Sequence, residues 1–185
     1  PFHYASMPVE RMDLVTAAQE PLRELWKQTG ECVYLGVVHE DMLMFLIHRN
    51  GVRNVRLGGC VGEHYWPHVA AAGKVLLAYG EPALRDRCIK RQLKRFTAKT
   101  HTEAVQVLAD LEKVRKQGYG LDDEEYMDGG LCYAAPIFDY TGRVVAAIGT
   151  TVLTIYYTRN EVVSVLGPQF QETARKISTA LGYSG

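Results

Sequence analysis

The sequence predicts an α+β fold, a central antiparallel sheet with helices on its faces. Three observations predict it. Two groups of runs rich in Val, Ile and aromatic residues each carry turn chemistry of hairpin type, Asn50-Gly51 in the first and Asp139-Tyr140-Thr141-Gly142 in the second. Helix-period segments come in groups around these hairpins instead of alternating singly with strands, which excludes a βαβ series. The 185 residues, 47% hydrophobic and 23% charged, show no internal repeat or long linker and can bury one core without disulfides.

Taken in order, Leu14, Ala18, Pro21, Leu22 and Leu25 have the spacing of a helix over residues 11–29, with Asp13 as its N-cap, Gly30 as its stop and a kink at Pro21. Residues 31–39, 42–49 and a further run ending at Leu57 predict an antiparallel meander with Asn50-Gly51 as a hairpin turn. Helix returns over residues 69–80, and a second helix starts at Pro82, whose missing N–H costs nothing in a first turn. That helix carries Arg85, Arg87, Lys90, Arg91, Lys94 and Arg95 around its whole circumference, the pattern of a solvated surface more than of a polyanion patch. Thr100 and Glu103 have capping-box spacing for a helix that faces the core with Leu108 and Leu111 and stops at Gly118. Residues 131–138 and 143–153 form the second hairpin. Thr158 and Glu161 cap a last helix with Phe170, Ala174, Ile177 and Leu181 on one face, and Gly167-Pro168 is a candidate break.

Composition narrows function. Lys plus Arg equals Asp plus Glu at 21 each, so these residues lack the positive field that phosphate neutralisation requires. No run of eighteen apolar residues predicts a membrane span. The opening Pro1-Phe2-His3-Tyr4 has neither an initiator Met nor the features of a secretory signal and reads as a segment cut from something longer. Cys32, Cys60, Cys88 and Cys132 form no C-x-x-C pair, so reduced thiols in the cytoplasm are expected.

Few residues suggest chemistry. Cys132, after Gly129-Gly130, can be a nucleophile if a base such as His68 lowers its pKa, but no third, orienting group is evident, and a small buried hydrophobe is the favoured reading. Cys60, His64 and His68 offer three metal ligands; Pro67 prevents a regular helix through the histidines and a fourth ligand is not evident, so neither metal nor cofactor is expected. The glycines match no phosphate-loop or dinucleotide pattern. Ala70-Ala71-Ala72-Gly73 leaves two readings open: small residues at a helix start let backbone N–H groups hold an anion, or they allow close packing on a sheet.

Two longer stretches carry a resemblance. The run from Pro67 to Ala78 resembles the P-(L/M)-H-x-(S/T)-A-x-G-K-x-x-L-A segment of the IclR family of bacterial transcriptional regulators. Gly118-Tyr119-Gly120-Leu121-Asp122-Asp123-Glu124-Glu125, followed by Gly129, Cys132 to Pro136, Asp139, Gly142 and Val145-Ala146-Ala147, is similar to that family's G-Y-x-x-D-x-E-E-x-x-x-G-x-x-C-x-A-x-P-V-x-D-x-x-G-x-x-x-A. Thr29-Gly30-Glu31 and the closing residues 174–183 agree as well, so order and separation match over nearly the whole chain.

The resemblance implies an effector-binding domain with a GAF-like or profilin-like fold, a curved antiparallel sheet flanked by helices. It also implies a non-enzymatic sensor that binds a small organic acid, works as a homodimer or homotetramer, and reaches DNA only through a winged helix-turn-helix domain N-terminal to these residues. Residues 1–28 are then expected to be the remnant of the linker helix from that domain, and 29–185 the effector-binding domain. The family's effector pocket falls on Ala71, Ala72, Asp122, Gly130, Cys132, Gly149 and Thr151. Two departures stand out: Gly149-Thr150-Thr151 replaces a common Ser-x-Ser, and Val69-Ala70 replaces more polar residues. A less polar, roomier pocket follows, and Tyr65, Trp66, Tyr126 and Tyr133 nearby suggest an aromatic or longer-chain acid. The alternatives are a thiol enzyme using Cys132 and a pure dimerisation module with a vestigial pocket.

Overall fold

A computed structural model describes residues 3–53 and 59–185, with side chains from residue 12 onward. Helix α1 (His3–Thr29) buries Leu14, Ala18, Leu22 and Leu25 at helical spacing. It starts well before Asp13, which lies inside the helix and is not its cap. It also runs on through Pro21: the ring forfeits one backbone bond, and burial of the apolar stripe, about 1.5–3 kcal/mol per large side chain, offsets the loss. Gly30, left-handed at φ +68°, ends the helix and donates its N–H to the Trp26 carbonyl at 2.8 Å.

Strands β1 (Val33–His39) and β2 (Met42–Arg49) form a hairpin through Glu40 and Asp41, both left-handed at φ 51° and 59°, the twist that a two-residue turn between strands requires. Asn50-Gly51 is therefore not a hairpin turn. The chain there folds back on the end of α1: Trp26 Nε1 donates to the Asn50 carbonyl at 2.7 Å and the Val52 N–H to the Gly30 carbonyl at 2.8 Å. The expected run to Leu57 lies mostly outside the described residues, and the third strand is β3 (His64–Tyr65), on the far edge of β2.

Helices α2 (Ala71–Tyr79), α3 (Pro82–Lys90) and α4 (Ala104–Gln117) follow, with Pro82 in a first turn as expected. The cap of α4 is Glu103 with Gln106, one box further along than expected, because the Thr100 hydroxyl is committed elsewhere. It accepts the Phe96 and Thr97 N–H groups and donates to the Glu125 carbonyl. The buried face of α4 is Val107, Leu111 and Val114; Leu108 points outward, since the stripe runs i, i+4, i+7 from Val107. The basic side chains are dispersed, Arg87 pairing with Asp41 at 2.8 Å and Arg95 donating to Thr102.

Strand β4 (Gly120–Asp123), unforeseen in the sequence, pairs with β5 (Gly130–Phe138), which pairs with β6 (Val144–Leu153) through the expected turn at Asp139. The Thr158–Glu161 box caps α5 (Arg159–Glu161), one π turn covers Val162–Leu166, and α6 (Gly167–Ala180) continues with Phe170, Ala174 and Ile177 buried. Gly167-Pro168 thus causes no break; Pro168 sits in the first turn of α6, where its N–H is not missed.

All six strands are antiparallel in the order β3-β2-β1-β6-β5-β4, forming the curved sheet that the resemblance implies. One face packs on α1 and α6 around Leu35, Tyr133, Ile148 and Phe170. The other is covered by α2, with α4 outside it, around Phe45, Ala72, Val75, Leu111 and Ala147. Alternation along the strands therefore sends Tyr34, Cys132 and Gly149 to the α2 side and their neighbours to the other.

Candidate functional site

On the α2 side the strand registers line up polar groups across the sheet. Asp122 of β4 is opposite Cys132 of β5, Cys132 opposite Thr151 of β6, and Gly149 of β6 opposite Tyr34 of β1, which in turn faces His48 of β2. The Cys132 thiol donates to Asp122 Oδ2 at 3.4 Å, which leaves the Thr151 hydroxyl, 3.3 Å away, to donate to the sulfur. Asp122 Oδ1 accepts the Glu125 N–H at 2.7 Å and the Tyr126 N–H at 3.2 Å. Further along, the Cys32 thiol lies 3.5 Å from His48 Nε2.

Gly149 is required by what sits over it. A Cβ there would collide with the Tyr34 hydroxyl and the Tyr133 carbonyl, so the missing side chain makes room for the Tyr34 phenol. Tyr34 is buried. Its ring stacks on Phe45 at 4.5 Å between centroids, Phe45 stacks on Tyr65 at 4.8 Å, and Tyr126 meets Tyr65 edge-on and Phe96 at a tilt. Aromatic rings thus form one wall of a row whose floor is polar.

The ceiling is the start of α2. Ala70, its N-cap, has no side-chain oxygen to cap the helix, so the first N–H groups of Ala71 and Ala72 point out of the helix end unsatisfied by a side chain. Both alanines are fully buried in the same cluster as Tyr34 and Phe45, and small size also serves packing: a Cβ on Gly120 would strike the Ala71 carbonyl. Close packing, one of the two readings left open by the sequence, is realised, and the same helix start carries no side-chain cap.

Electrostatics follow burial. Burial raises the Asp122 carboxyl from its ordinary 3.8 to about 6, partly opposed by the two backbone donors. Burial, and next the Asp122 charge, push the Cys132 thiol well above its usual range, so it stays protonated at neutral pH and is a poor nucleophile. Burial shifts the half-buried His48 down and lifts the Cys32 thiol to about 11. His68, the base considered for Cys132, lies instead with its Nε2 3.0 Å from the Lys94 carbonyl.

Of the expected residues, Asp122, Cys132, Thr151 and Gly149 are adjacent in one row, Ala71 and Ala72 cover it, and Gly130 closes its end against Met127. Tyr65 and Tyr126 border the row as expected. Tyr133 does not: one residue from Cys132, it faces the opposite core and stacks on Tyr119. Trp66 is turned toward His68. Sequence reasoning missed Cys32, Tyr34, Phe45 and His48; alternation carries Tyr34 of β1 and Cys32 just before that strand to one face, but only the β1–β2 register brings His48 to them. Cys60, His64 and His68 do not converge, since Cys60 and His64 are exposed while His68 is buried against Lys94.

Behind Asp122 lies a second charged group. Lys74 of α2, 3% exposed, donates to Glu125 at 2.5 Å and to Asp110 of α4 at 3.3 Å, and His101 Nδ1 is 2.6 Å from Asp110. Burial raises the Glu125 carboxyl while the Lys74 charge pulls it back. Glu125 Oε2 is buried without a partner. These groups floor a cleft of about 550 Å³ rimmed by Arg95, Lys99 and Arg159.

A curved antiparallel sheet with a polar, aromatic-walled row under an uncapped helix start defines a small-ligand-binding domain. The sequence model of the bacterial transcriptional regulator IclR C-terminal region matches residues 7–179. The chain is 32% identical over 188 residues to the HTH-type transcriptional regulator KdgR of Escherichia coli, covering 98% of this chain and 69% of that protein. The crystal structure of the C-terminal domain of E. coli KdgR superposes with a TM-score of 0.82 at 31% identity, covering 92% of this chain and 99% of that one. The inducer-binding domain of the transcription factor PobR from Acinetobacter, a double mutant in complex with 3-hydroxybenzoic acid, superposes with a TM-score of 0.81 at 26% identity, over 88% and 96% of the two chains. This chain belongs to the IclR family and is a C-terminal effector-binding domain of that family's transcriptional regulators. It spans 69% of the length of the E. coli KdgR and 60% of that of the Dickeya chrysanthemi protein of the same name. Among the described residues, no helix is long and apolar enough to cross a membrane.

Proposed function

We propose that the domain senses a small organic acid that also carries a hydrogen-bond donor, held between the N–H groups of Ala71 and Ala72 and the row Asp122, Cys132 and Thr151. The observation that carries this reading is the uncapped start of α2 above that row. The helix end favours a carboxylate, and Asp122 accepts a hydrogen bond from a ligand hydroxyl. The aromatic wall of Tyr34, Phe45 and Tyr65 favours a planar or longer-chain acid over a two-carbon one. A related domain in complex with a hydroxybenzoate is in keeping with this class.

The ligand acts by shifting a homodimer or homotetramer that carries a DNA-binding domain on the N-terminal side of α1, in the cytoplasm. A tenfold preference for one arrangement corresponds to about 1.4 kcal/mol. The high pKa of Cys132 and the distance in role of His68 argue for a sensor over a thiol enzyme.

A thermal-unfolding screen of carboxylic acids tests the reading: a ligand at about a hundred times its Kd adds about 2.7 kcal/mol of stability. Hydroxylated aromatic acids are expected to lead, and Thr151→Val and Cys132→Ala each to weaken binding by about 0.5–1.5 kcal/mol with the fold retained. Binding of two-carbon acids alone would remove the aromatic-acid reading; unchanged binding in both variants would remove the site; turnover abolished in Cys132→Ala with substrate still bound would favour an enzyme.

A further inference from the structure

We propose that His39, Glu40 and His64 form a surface site for a divalent transition-metal ion of the zinc type, clasping the β1–β2 turn to β3. The three lie at the β1–β2 turn and on β3, and none of them belongs to the row beneath α2. His39 is the last residue of β1, opposite Met42, and His64 is opposite Met44 on the other side of β2, so the short start of β2 separates them. Their rings stack across it at 5.5 Å. Glu40, held left-handed at φ 51° by the tight turn, brings its carboxylate to 4.0 Å from His39 Nε2. One donor atom from each residue lies within 4.8 Å of the other two.

Two imidazoles and a carboxylate are a donor set that suits zinc, which also takes water or a further group in its fourth position. Donors at zinc distances of about 2.0–2.2 Å stand about 3.4 Å apart in a tetrahedron, so the site closes by movements of about 1 Å. Partly and fully exposed side chains can make these by rotation. Among the described residues one other trio, His101, Asp110 and Glu125, has such spacing, but the Lys74 ammonium already sits between its carboxylates. The next residue after His64 is Tyr65 of the aromatic wall, which stacks on Phe45. Metal binding would therefore stiffen the outer side of the candidate ligand site.

Calorimetric titration of Zn²⁺ into the tag-free, chelator-treated chain tests this, with a parallel measurement of the thermal shift the metal produces. One ion per chain is expected, with affinity lowered at least about tenfold in His39→Ala and in His64→Ala and the thermal shift lost in both. Glu40→Gln, which alters only an exposed side chain, is expected to weaken binding while the metal-free melting temperature stays the same. Cys60→Ala is expected to bind as the parent does. No binding, binding undiminished in the His39→Ala/His64→Ala double variant, or binding lost in Cys60→Ala would each overturn the proposal.

Discussion

Asp122 is the residue whose environment departs most usefully from water. Its folded carboxyl titrates near 6 and its unfolded one near 3.8, so between these values the folded chain holds a proton that the unfolded chain has released. The sign follows: this group lowers stability as pH rises from about 4 to about 6, by up to about 3 kcal/mol, and the loss is complete above the folded value. Asp122→Asn keeps an acceptor for the Glu125 and Tyr126 N–H groups and has no proton to release. Urea midpoints for parent and variant between pH 4 and 7 should diverge across that window, the variant gaining relative to the parent as pH rises. A constant difference would mean that Asp122 titrates as an ordinary carboxyl. Protonated Asp122 also repels an anionic ligand less, so an acid that binds beside it is expected to bind more tightly as pH falls through about 6.

At the scale of elements, Lys74 ties α2 to α4 and to the β4–β5 connection. Lys74→Ala leaves two carboxylates without their buried counter-charge and is expected to cost about 3–5 kcal/mol, measurable by denaturant unfolding. Lys74→Met combined with Glu125→Leu removes the charge and its partner together and should recover most of that loss; failure to do so would point to the ammonium's packing and not its charge. The same scale shows what the sequence could tell. Periodicity found α1, α2 and α6, and turn chemistry found the β5–β6 hairpin, because those signals are local. The box at Thr158 and Glu161 was legible for the same reason, whereas Thr100 and Glu103 had equal spacing but Thr100 was claimed by the Glu125 carbonyl, a contact twenty-five residues away. Asn50-Gly51 misled because Trp26 and Gly30 capture it, and Glu40-Asp41 was overlooked because Glu is an unusual left-handed residue and no glycine marks the turn. In the site, the motif-borne residues Asp122 and Cys132 were legible, while Tyr34 over Gly149 and Cys32 beside His48 required strand register, which no short window contains.

At the scale of the molecule, the sheet is two hairpin systems joined along one seam, where β1 meets β6 through Tyr34–Gly149, Leu35–Ile148 and Gly36–Ala147. Helices α1 and α6, from opposite ends of the chain, lie together on one side of that seam, and α2 on the other. Cys32 and Tyr34 belong to one system, Thr151, Cys132 and Asp122 to the other, so the candidate ligand row is split between them. The seam has a kinetic meaning. Each hairpin closes a short loop, but pairing residue 34 with residue 149 brings together remote parts of the chain, and contacts of that range form slowly. Ligand-binding capacity in a refolding experiment should accordingly return after helical signal does, as the product of the last long-range closure. A small acid that needs both sides of the seam would recognise finished molecules and leave half-folded ones unbound.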